Sequence, residues 1–465
     1  MQGSEPLPDK PLILVVIDGL TPSMLERAVE DGLPALAALA AAGRYGHATS
    51  TFPSLTPVCL SSIATGAHPD VHEIPHLVWY HRGERRLVEY GSSFGAVRAA
   101  GARRSILDTI FNMNAEHLGS QDVTVYEALE DAGYTAAAVN MTCYRGRTTH
   151  KPLVPGLGRV AHGPKRFFYY SLFESDRTGA PIAVRNRAEG SVDAYAATVG
   201  RWLVTRDGFD CLVFYLPDYD FASHAAGPDS ADAALARSDA AIGALMAAAG
   251  GVEEFLERYA VVLVADHGQT HVERAVRLQD AFADFRLFSR WSADAELAVT
   301  ASNRAGMVYV LPGSRAEPRE LAERLDREPA AEAVLFLEGG EAVLRREGEE
   351  LRFAPAGEGW AKSGDEALVA DYPDALTRAW AALRNPNAGQ LLVSAAPGIE
   401  FADLAGRHHA GGGSHGSLVE GDSIVPVLTV GLDAAPASIV DFAPAVLAHF
   451  GVEAPAYARR VVRAA

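Results

Sequence analysis

The chain has 465 residues with a formal net charge of −18, and 48% of its residues are apolar. The apolar content is sufficient for a large core, while the negative charge argues against a nucleic-acid or anionic-membrane binder, because both need a basic surface. Three cysteines provide neither a disulfide framework nor a CxxC zinc motif, and no apolar run reaches the ~18 residues of a membrane span.

The first predicted unit is a strand followed by a helix. Residues 11–18 read PLILVVID, the continuous apolar run of a buried parallel strand. Thr21 and Pro22 then provide an N-cap and a first helical residue, and the helix is expected to continue to about Asp31. Asp18 is therefore expected at the carboxyl end of this strand.

The alternation of strands and helices continues along the chain. Further helices are predicted in VTVYEALEDAG, VDAYAATVGRWLVTRDG, SADAALARSDAAIGALMAAAGG and SIVDFAPAVLAHFG, and further strands in YTAAAVN, DCLVFYLPD, YAVVLVADHG and SIVPVLTVG. This order predicts an α/β fold with a mainly parallel sheet and helices on both faces. In such sheets the ligand site lies outside the carboxyl ends of the strands.

Residues 284–395 interrupt this alternation. The segments AGMVYVLP, PRELAERLDRE and AEAVLFLEGGEAVLRREGEELRFAP predict a β-α-β-β order that is rich in charged residues. We therefore expect residues 1–283 and 396–465 to form the core domain, and residues 284–395 to form a smaller inserted α+β cap over the site. Irregular structure is also expected at residues 76–120 and 144–187.

Acids and histidines follow three of the predicted strands and precede the last one. They are, in chain order, Asp18, Asp220 with His224, Asp266 with His267, and His415 in the loop GGGSHGSL. Their convergence at one edge of the sheet would bring three carboxylates together, which would raise their pKa values unless cations compensated the charge. The mixture of carboxylate oxygen and imidazole nitrogen suits zinc, with manganese as an alternative.

A hydroxyl nucleophile is predicted within TSTFPSLTPVCLSSIATG, residues 49–66. Such a hydroxyl is activated by a metal ion and is favoured at a helix N-terminus, where the dipole stabilises an anion. Thr56 fits best because it precedes Pro57 at the predicted start of a helix that ends at Gly66. Thr51 is the second candidate, and a plain N-cap role is the alternative for Thr56.

The order of these motifs resembles the alkaline phosphatase superfamily, and within it the type I phosphodiesterase/nucleotide pyrophosphatase group and the phosphonoacetate hydrolases. The motifs are a strand-end Asp, P-[S/T]-x-T before a helix closing in TG, DxxxH, DHG and a late HG. In the family's nucleophile segment the nucleophilic Thr lies nine residues before the Thr of TG and three after a Pro. Counting back from Thr65 selects Thr56, with Pro53 in place, and excludes Thr51.

The resemblance implies an alkaline phosphatase-like fold and two divalent cations, with zinc favoured and manganese possible. Asp18, Thr56, Asp266 and His267 would hold the cation on the nucleophile side, and Asp220, His224 and His415 would hold the other. The implied activity is phosphodiesterase/nucleotide pyrophosphatase hydrolysis of a small phosphate ester, with Thr56 as nucleophile and a covalent phospho-threonine intermediate.

At two positions this chain differs from the pattern of the family that it resembles. Nucleotide-cleaving members have, three residues after the nucleophile, an Asn that helps to hold a phosphate oxygen, and this chain has Cys59 there. The Phe that commonly follows the nucleophile is Pro57. Because a thiol is a weak donor, another group is expected to contact that oxygen. Backbone N–H groups at the helix start are one possibility, and Asn140 and Arg145 in NMTCYRGR are others.

Other activities are compatible with the same ligands. A phosphonate hydrolase would cleave a C–P bond, and a phosphomonoesterase or a cofactor-independent phosphoglycerate mutase would share the site, although the mutase nucleophile is Ser. A sulfatase is disfavoured because CLSSI, around Cys59, lacks the Pro and Arg of the sulfatase pattern. A metal-binding scaffold without activity is the non-enzymatic alternative, suggested by the missing Asn.

The N-terminal sequence favours a cytoplasmic location. MQGSEPLPDKPLILVVIDGL has only a short apolar run that carries an Asp, and it lacks the basic segment and the long apolar segment of a signal peptide. The expected partner is a small-molecule phosphate ester or phosphonate, rather than a nucleic-acid polymer or a membrane. The sequence carries no signal for an oligomeric state.

Overall fold

The computed structural model describes residues 10–154, 158–175, 191–290, 292, 294–432 and 436–459. Within these residues the central element is an eight-stranded mixed sheet. From one edge to the other, its strands are Arg44–Thr49, Ile424–Val430, Ala260–Val264, Leu12–Ile17, Cys211–Leu216, Ala136–Val139, Arg166–Tyr169 and Phe173–Glu174. The five strands from Ala260–Val264 to Arg166–Tyr169 are mutually parallel, whereas the pairings at both ends of the sheet are antiparallel.

The three middle strands are continuous apolar segments because both of their faces are covered. Every residue of Leu12–Ile17, Cys211–Leu216 and Ala260–Val264 is buried. Leu12–Ile17 lies between the other two, with Ile17 opposite Leu216 and Val16 opposite Val264. The carboxyl ends of the three strands therefore lie side by side.

Helices connect and cover these strands. The α-helices are Pro22–Glu30, Pro34–Ala42, Thr56–Thr65, Pro69–His72, Phe94–Ala100, Ala102–Leu107, Val125–Asp131, Val192–Val204, Asp218–Ala226, Asp232–Ala249, Val252–Arg258, Pro318–Leu325, Ala375–Arg384, Glu420–Ser423 and Phe442–His449. A π-helix spans Asp108–His117, and 3-10 turns span Pro228–Ser230, Leu278–Phe282, Glu366–Val369, Ile439–Asp441 and Ala456–Arg459. Among the helices of the described ranges, none has the length and apolar character needed to cross a bilayer. The predicted α/β class with a mainly parallel sheet is confirmed.

A second large sheet is fully antiparallel. In the described part of the chain its seven strands are, in spatial order, Leu297–Ser302, Ala305–Val310, Leu391–Ala395, Ala331–Glu338, Glu341–Arg346, Glu349–Ala356 and Gly359–Gly364. All of them fall inside the interval 284–395, for which the sequence predicts an insertion. Smaller sheets pair Thr270–Val276 with Gly398–Phe401 and Gly413–Ser414, Val78–His81 with Arg86–Glu89, and Thr148–His150 with Ala161–Gly163.

The edge strand Arg44–Thr49 is the main element that the sequence does not predict. Its first four residues are exposed, so it has no continuous apolar pattern. It pairs antiparallel with Ile424–Val430, and that strand in turn runs antiparallel to Ala260–Val264. The final predicted strand therefore exists but reverses the direction of the parallel core. The region 76–120, expected to be irregular, contains a hairpin and helices.

A hairpin of the second sheet reaches the loop that carries His415. The hairpin turns at Asn303 and Arg304, between Leu297–Ser302 and Ala305–Val310. Arg304 is completely buried, its backbone N–H donates to the His415 carbonyl at 2.8 Å, and its guanidinium donates to Asp422 Oδ1 at 2.9 Å. These contacts fix the tip of the hairpin against the core.

The carboxylate of Asp422 connects this hairpin to the same loop. Asp422 is fully buried, and its Oδ2 accepts hydrogen bonds from the backbone N–H and the hydroxyl of Ser417, at 2.9 and 2.6 Å. Its Oδ1 accepts from Arg304 and from the hydroxyl of Thr270. Because Ser417 lies two residues after His415, the Arg304–Asp422 ion pair holds both segments together.

We expect the substitution Asp422→Asn to lower the free energy of unfolding by about 3 kcal/mol, because it leaves a buried guanidinium without an anionic partner. Urea denaturation measures the change. The control is Asp131→Asn, which removes an exposed ion pair with Arg147 and should cost less than about 1 kcal/mol. Equal losses in the two variants would contradict the stabilising role of the buried pair.

Candidate active site

A cavity of about 820 Å³ opens at the carboxyl ends of the parallel strands. Five predicted site residues lie in its wall: Asp18, Thr56, Asp220, His224 and His415. Asp266 and His267 lie directly behind the wall and are fully buried. The structure thus brings together all seven residues that the sequence proposes as metal ligands.

The nucleophile-side group is centred on His267. Its Nε2 atom lies 3.3 Å from Asp18 Oδ1, 3.4 Å from Asp266 Oδ2 and 3.1 Å from Thr56 Oγ1. The His267 Nδ1 atom lies 3.0 Å from the carbonyl of Gly268 and donates to it. The Nδ1 hydrogen bond thus turns Nε2 toward the Thr56 hydroxyl and the two carboxylates. One hydroxyl, two carboxylates and one imidazole nitrogen face a common point.

The hydroxyl of Thr56 does not cap its own helix. Thr56 is the first residue of Thr56–Thr65, the N-cap is Leu55, and no side chain caps the helix. The helix ends at Gly66, which has a left-handed φ of 67°, as the sequence predicts. Thr51, the second candidate, is fully buried and directs its hydroxyl toward the thiol of Cys59. The geometry therefore supports Thr56 as the reactive hydroxyl.

The second group consists of Asp220, His224 and His415. Asp220 Oδ2 lies 3.3 Å from His224 Nε2, and Asp220 Oδ1 lies 3.8 Å from His415 Nε2. The His415 ring stacks on the His267 ring with centroids 3.6 Å apart. Because of this stacking, the two groups are neighbours within one cavity.

Backbone carbonyls fix the orientation of all three site histidines. The Nδ1 atoms donate to carbonyl oxygens, from His224 to Gly413 at 2.8 Å, from His267 to Gly268 at 3.0 Å and from His415 to Ser54 at 2.8 Å. Each Nε2 atom is thereby directed toward the carboxylates. Metal-binding histidines have this arrangement, with the second ring nitrogen held by a carbonyl or carboxylate.

Like charges are concentrated in a site with little water. Burial and the negative charges of Asp266 and Asp220 raise the pKa of Asp18 well above its usual range. Burial likewise raises the pKa of Asp266. Burial also opposes ionisation of Asp220, but the adjacent imidazoles, His224 first, outweigh it and lower its pKa. Asp18 Oδ1 and Asp266 Oδ2 accept no hydrogen bond from any residue that the structure describes.

These donors fit divalent cations. Ligand atoms of Asp18, Asp266 and His267 lie within 4.8 Å of one another, and so do those of Asp220, His267 and His415. The buried carboxylate oxygens without hydrogen-bond donors require a positive partner, and mixed oxygen and nitrogen ligands suit zinc or a similar ion. His267 lies between the two groups, whereas the sequence assigns it to only one of them.

Three residues proposed for substrate contact do not reach the cavity wall. Cys59 is completely buried, and its thiol lies against the hydroxyls of Ser50 and Thr51. Asn140 is also buried, and its Oδ1 accepts from the backbone N–H of Tyr170 at 2.9 Å. Arg145 is held by an ion pair with Glu127 and by backbone carbonyls. The polar groups of Asn140 and Arg145 that were expected to contact the substrate are therefore already engaged within the protein.

Among the first four residues of the helix, the backbone N–H of Thr56 alone has no acceptor within the described residues. Pro57 has no N–H, and the N–H groups of Val58 and Cys59 both donate to the Leu55 carbonyl at 2.9 Å. The expectation that backbone N–H groups there hold a phosphate oxygen therefore fails for these positions.

Several residues that the sequence does not single out complete the site. The Tyr215 hydroxyl donates to Asp18 Oδ2, the Gln269 amide donates to Asp220 Oδ1, and the Asn303 amide lies 2.9 Å from His415 Nε2. Tyr215 lies opposite Val16 in the parallel register, one residue before the end of its strand. Its contact with Asp18 follows from that strand pairing, which no local sequence pattern reveals.

The outer wall of the cavity is aromatic and apolar. It includes Tyr90, Tyr169, Tyr170 and Phe221, with Phe221 57% exposed. Such a wall provides flat apolar surface for an uncharged part of a ligand.

Comparisons with known proteins agree with this geometry. The family model described as type I phosphodiesterase/nucleotide pyrophosphatase matches residues 12–418. A comparison with curated proteins gives no match. Among solved structures, phosphonoacetate hydrolase from Sinorhizobium meliloti 1021 in complex with phosphonoformate has a TM-score of 0.60 and 19% identity, over 96% of this chain and 97% of that chain.

A second solved structure is equally similar in fold. Murine ectonucleotide pyrophosphatase/phosphodiesterase 5 has a TM-score of 0.60 and 13% identity, over 96% of each chain. An inactive threonine-to-alanine variant of that protein, in complex with AMP, gives the same values. These structures show the fold, and the family model confirms the type I phosphodiesterase/nucleotide pyrophosphatase resemblance that the sequence motifs indicate.

We expect zinc to stabilise the protein more strongly as the pH rises. The folded protein raises the pKa values of Asp18 and Asp266. In metal-free protein these two groups therefore stabilise the fold at low pH, and this stabilisation is lost as the pH rises above the unfolded carboxylate pKa of about 3.9. Zinc requires these groups ionised and displaces their protons. The difference in thermal midpoint between zinc-loaded and chelator-treated protein should therefore widen from pH 5 to pH 8.

The matched control for this measurement is Asp18→Asn, in which one titrating ligand is absent. Its zinc-dependent shift should be smaller and should change less with pH. A wild-type difference that is the same at pH 5 and pH 8 would contradict the proposed coupling between carboxylate ionisation and metal binding.

Proposed function

Because the chain belongs to the type I phosphodiesterase/nucleotide pyrophosphatase family, we propose that it is a two-metal hydrolase of small phosphoric esters with Thr56 as nucleophile. The supporting observation is the position of the Thr56 hydroxyl, 3.1 Å from His267 Nε2 and beside the carboxylates of Asp18 and Asp266. A hydroxyl with only a structural role would have no reason to point into a buried acidic cluster.

The proposed ligand sets follow from the two groups. Asp18, Thr56, Asp266 and His267 would hold one cation, and Asp220, His224 and His415 would hold the other. When bound, the cations, zinc or alternatively manganese, would provide Lewis acidity and neutralise charge on the reacting oxygens. Backbone carbonyls orient the three histidines, Tyr215 and Gln269 donate to Asp18 and Asp220, and the backbone N–H groups of Gly19 and His267 donate to Asp266.

The reaction proceeds in two steps. Thr56 Oγ1 gives its proton to solvent and forms a bond to phosphorus, while the bond from phosphorus to the leaving oxygen breaks on the opposite side and the leaving oxygen takes up a proton from solvent. Water then attacks phosphorus and gives up a proton, the bond from phosphorus to Thr56 Oγ1 breaks, and that oxygen regains its proton. The start of the helix Thr56–Thr65 contributes the positive end of its dipole to the charge that develops there.

The cavity wall favours a phosphodiester or pyrophosphate with a flat apolar group over phosphonoacetate. Tyr90, Tyr169, Tyr170 and Phe221 provide surface against which such a group can pack. Among the described residues the wall contains no lysine or arginine to bind the carboxylate of phosphonoacetate, and only histidines offer a positive charge there. The AMP complex of the murine fold relative is consistent with this choice.

The substitution Thr56→Ala tests the function. We expect it to lower kcat for bis-p-nitrophenyl phosphate by a factor of about 10³ or more, because the nucleophile is removed. Thr51→Ala, at the buried second candidate, should stay within several-fold of wild type. Zinc content by elemental analysis and the thermal midpoint should show that both variants are folded.

The same assay, extended to p-nitrophenyl phosphate and phosphonoacetate, separates the alternatives. The diester should be the best substrate of the three. Near-wild-type activity of Thr56→Ala would refute the assigned nucleophile, and faster cleavage of phosphonoacetate would assign the site to a phosphonate hydrolase. A zinc-loaded wild type that hydrolyses none of the three would favour the inactive scaffold.

A further inference from the structure

The proposed reaction develops negative charge on phosphoryl oxygens, but the helix that carries the nucleophile offers them few donors. The N–H groups of Val58 and Cys59 are already bonded to the Leu55 carbonyl, and Pro57 has none. The thiol of Cys59 is buried away from the cavity. Apart from the backbone N–H of Thr56, a neutral donor for these oxygens must therefore come from another part of the cavity wall.

Asn303 lies in that wall although it belongs to the second sheet. It is at the turn of the hairpin Leu297–Ser302 and Ala305–Val310, and only 6% of it is exposed. Its Nδ2 atom lies 2.9 Å from His415 Nε2, and its Oδ1 atom accepts from the Ser302 hydroxyl at 3.1 Å. The amide is thus held at the inner end of the cavity.

The hydrogen-bond network fixes which end of the amide faces His415. The His415 Nδ1 atom is opposite the Ser54 carbonyl, which can only accept, so Nδ1 carries a hydrogen and Nε2 accepts. The Asn303 atom that faces Nε2 is therefore the NH₂ group. This group has two hydrogens, and within the described residues its nitrogen bonds only to His415. The second N–H is available to a ligand.

The backbone around Asn303 holds this position firmly. Asn303 has a left-handed φ of 56°, and its carbonyl accepts from the N–H of Phe401 at 2.7 Å. The next residue, Arg304, forms the buried ion pair with Asp422 and donates its N–H to the His415 carbonyl. Asn303 is thus coupled to the loop that positions His415, and the amide stays beside that ring.

We propose that Asn303 donates a hydrogen bond to a phosphoryl oxygen of the substrate and of the product. The inference rests on the proposed function. If a cation binds His415 Nε2, the Asn303 amide can no longer donate a hydrogen bond to that nitrogen. Both N–H groups of the amide then face the space where the phosphoryl group reacts. Asn303 then provides a neutral side-chain donor in addition to the backbone N–H of Thr56.

Calorimetric titration of the zinc-loaded protein with inorganic phosphate tests this role. Asn303→Gly removes the amide while glycine retains the left-handed backbone without strain. We expect phosphate to bind this variant about 10- to 100-fold more weakly, the range for a lost hydrogen bond to a charged group. Asn303→Asp, which also tolerates the left-handed region, should bind at least as weakly because a carboxylate repels phosphate. Zinc content and the thermal midpoint should match wild type.

The matched control is Asn387→Ala. The Asn387 amide also connects this part of the chain to the core, by donating to the Glu73 carbonyl at 2.9 Å, but it lies outside the cavity wall. Its phosphate affinity should equal that of wild type. In the kinetic assay Asn303→Gly should lower kcat/KM for bis-p-nitrophenyl phosphate, and Asn387→Ala should not.

Two results would overturn the assignment while leaving the proposed function intact. Unchanged phosphate affinity in Asn303→Gly would exclude a phosphoryl contact, and loss of zinc from this variant would show that the amide supports the metal instead. A zinc-loaded wild type that does not bind phosphate would contradict the proposed function itself. The outcomes are therefore distinguishable in one set of titrations.

Discussion

Asp18, Asp220 and Asp266 are buried together just beyond the carboxyl ends of three adjacent strands, where their negative charges repel one another. Removing a carboxylate from water costs several kcal/mol even after relaxation of the protein. In this protein the register of Leu12–Ile17 with Ala260–Val264 places Asp18 beside Asp266, and Asp220 joins them from the first turn of the helix Asp218–Ala226. Protons or cations must therefore compensate the charge.

The surrounding groups include potential ligands for a metal ion. Three imidazoles are turned by backbone carbonyls so that each Nε2 atom faces the carboxylates, and two carboxylate oxygens have no donor within the described structure. The Thr56 hydroxyl points into the same space instead of capping its helix. Substrate recognition is then divided between an aromatic outer wall and, as we infer, an amide from the hairpin of the second sheet.

The sequence reveals those parts of the site that follow from local chain order. Asp18 and Asp266 directly follow buried apolar strands, so their position at the sheet edge depends only on recognising the strands. Thr56 follows from the family spacing to Thr65, and its hydroxyl lies in the cavity wall beside His267. The edge strand Arg44–Thr49 was missed because it is mostly exposed and gains its place only by pairing with Ile424–Val430.

The rest depends on contacts between segments that are distant in sequence. Tyr215 and Gln269 contact the acids through strand register and side-chain direction, and Asn303 arrives from a different sheet. Conversely, Asn140 and Arg145 have suitable chemistry by residue type, but a hydrogen bond to the Tyr170 N–H and an ion pair with Glu127 engage them outside the cavity wall. The position of a polar residue in the sequence does not show which hydrogen-bond and ion-pair partners it has in the folded protein.

Anomalous diffraction at the zinc edge, from crystals of zinc-loaded wild-type protein, tests the central claim most directly. The account predicts two peaks, one among Asp18, Thr56, Asp266 and His267, and the other among Asp220, His224 and His415. Fully occupied zinc elsewhere, with no peak between these side chains, would contradict it.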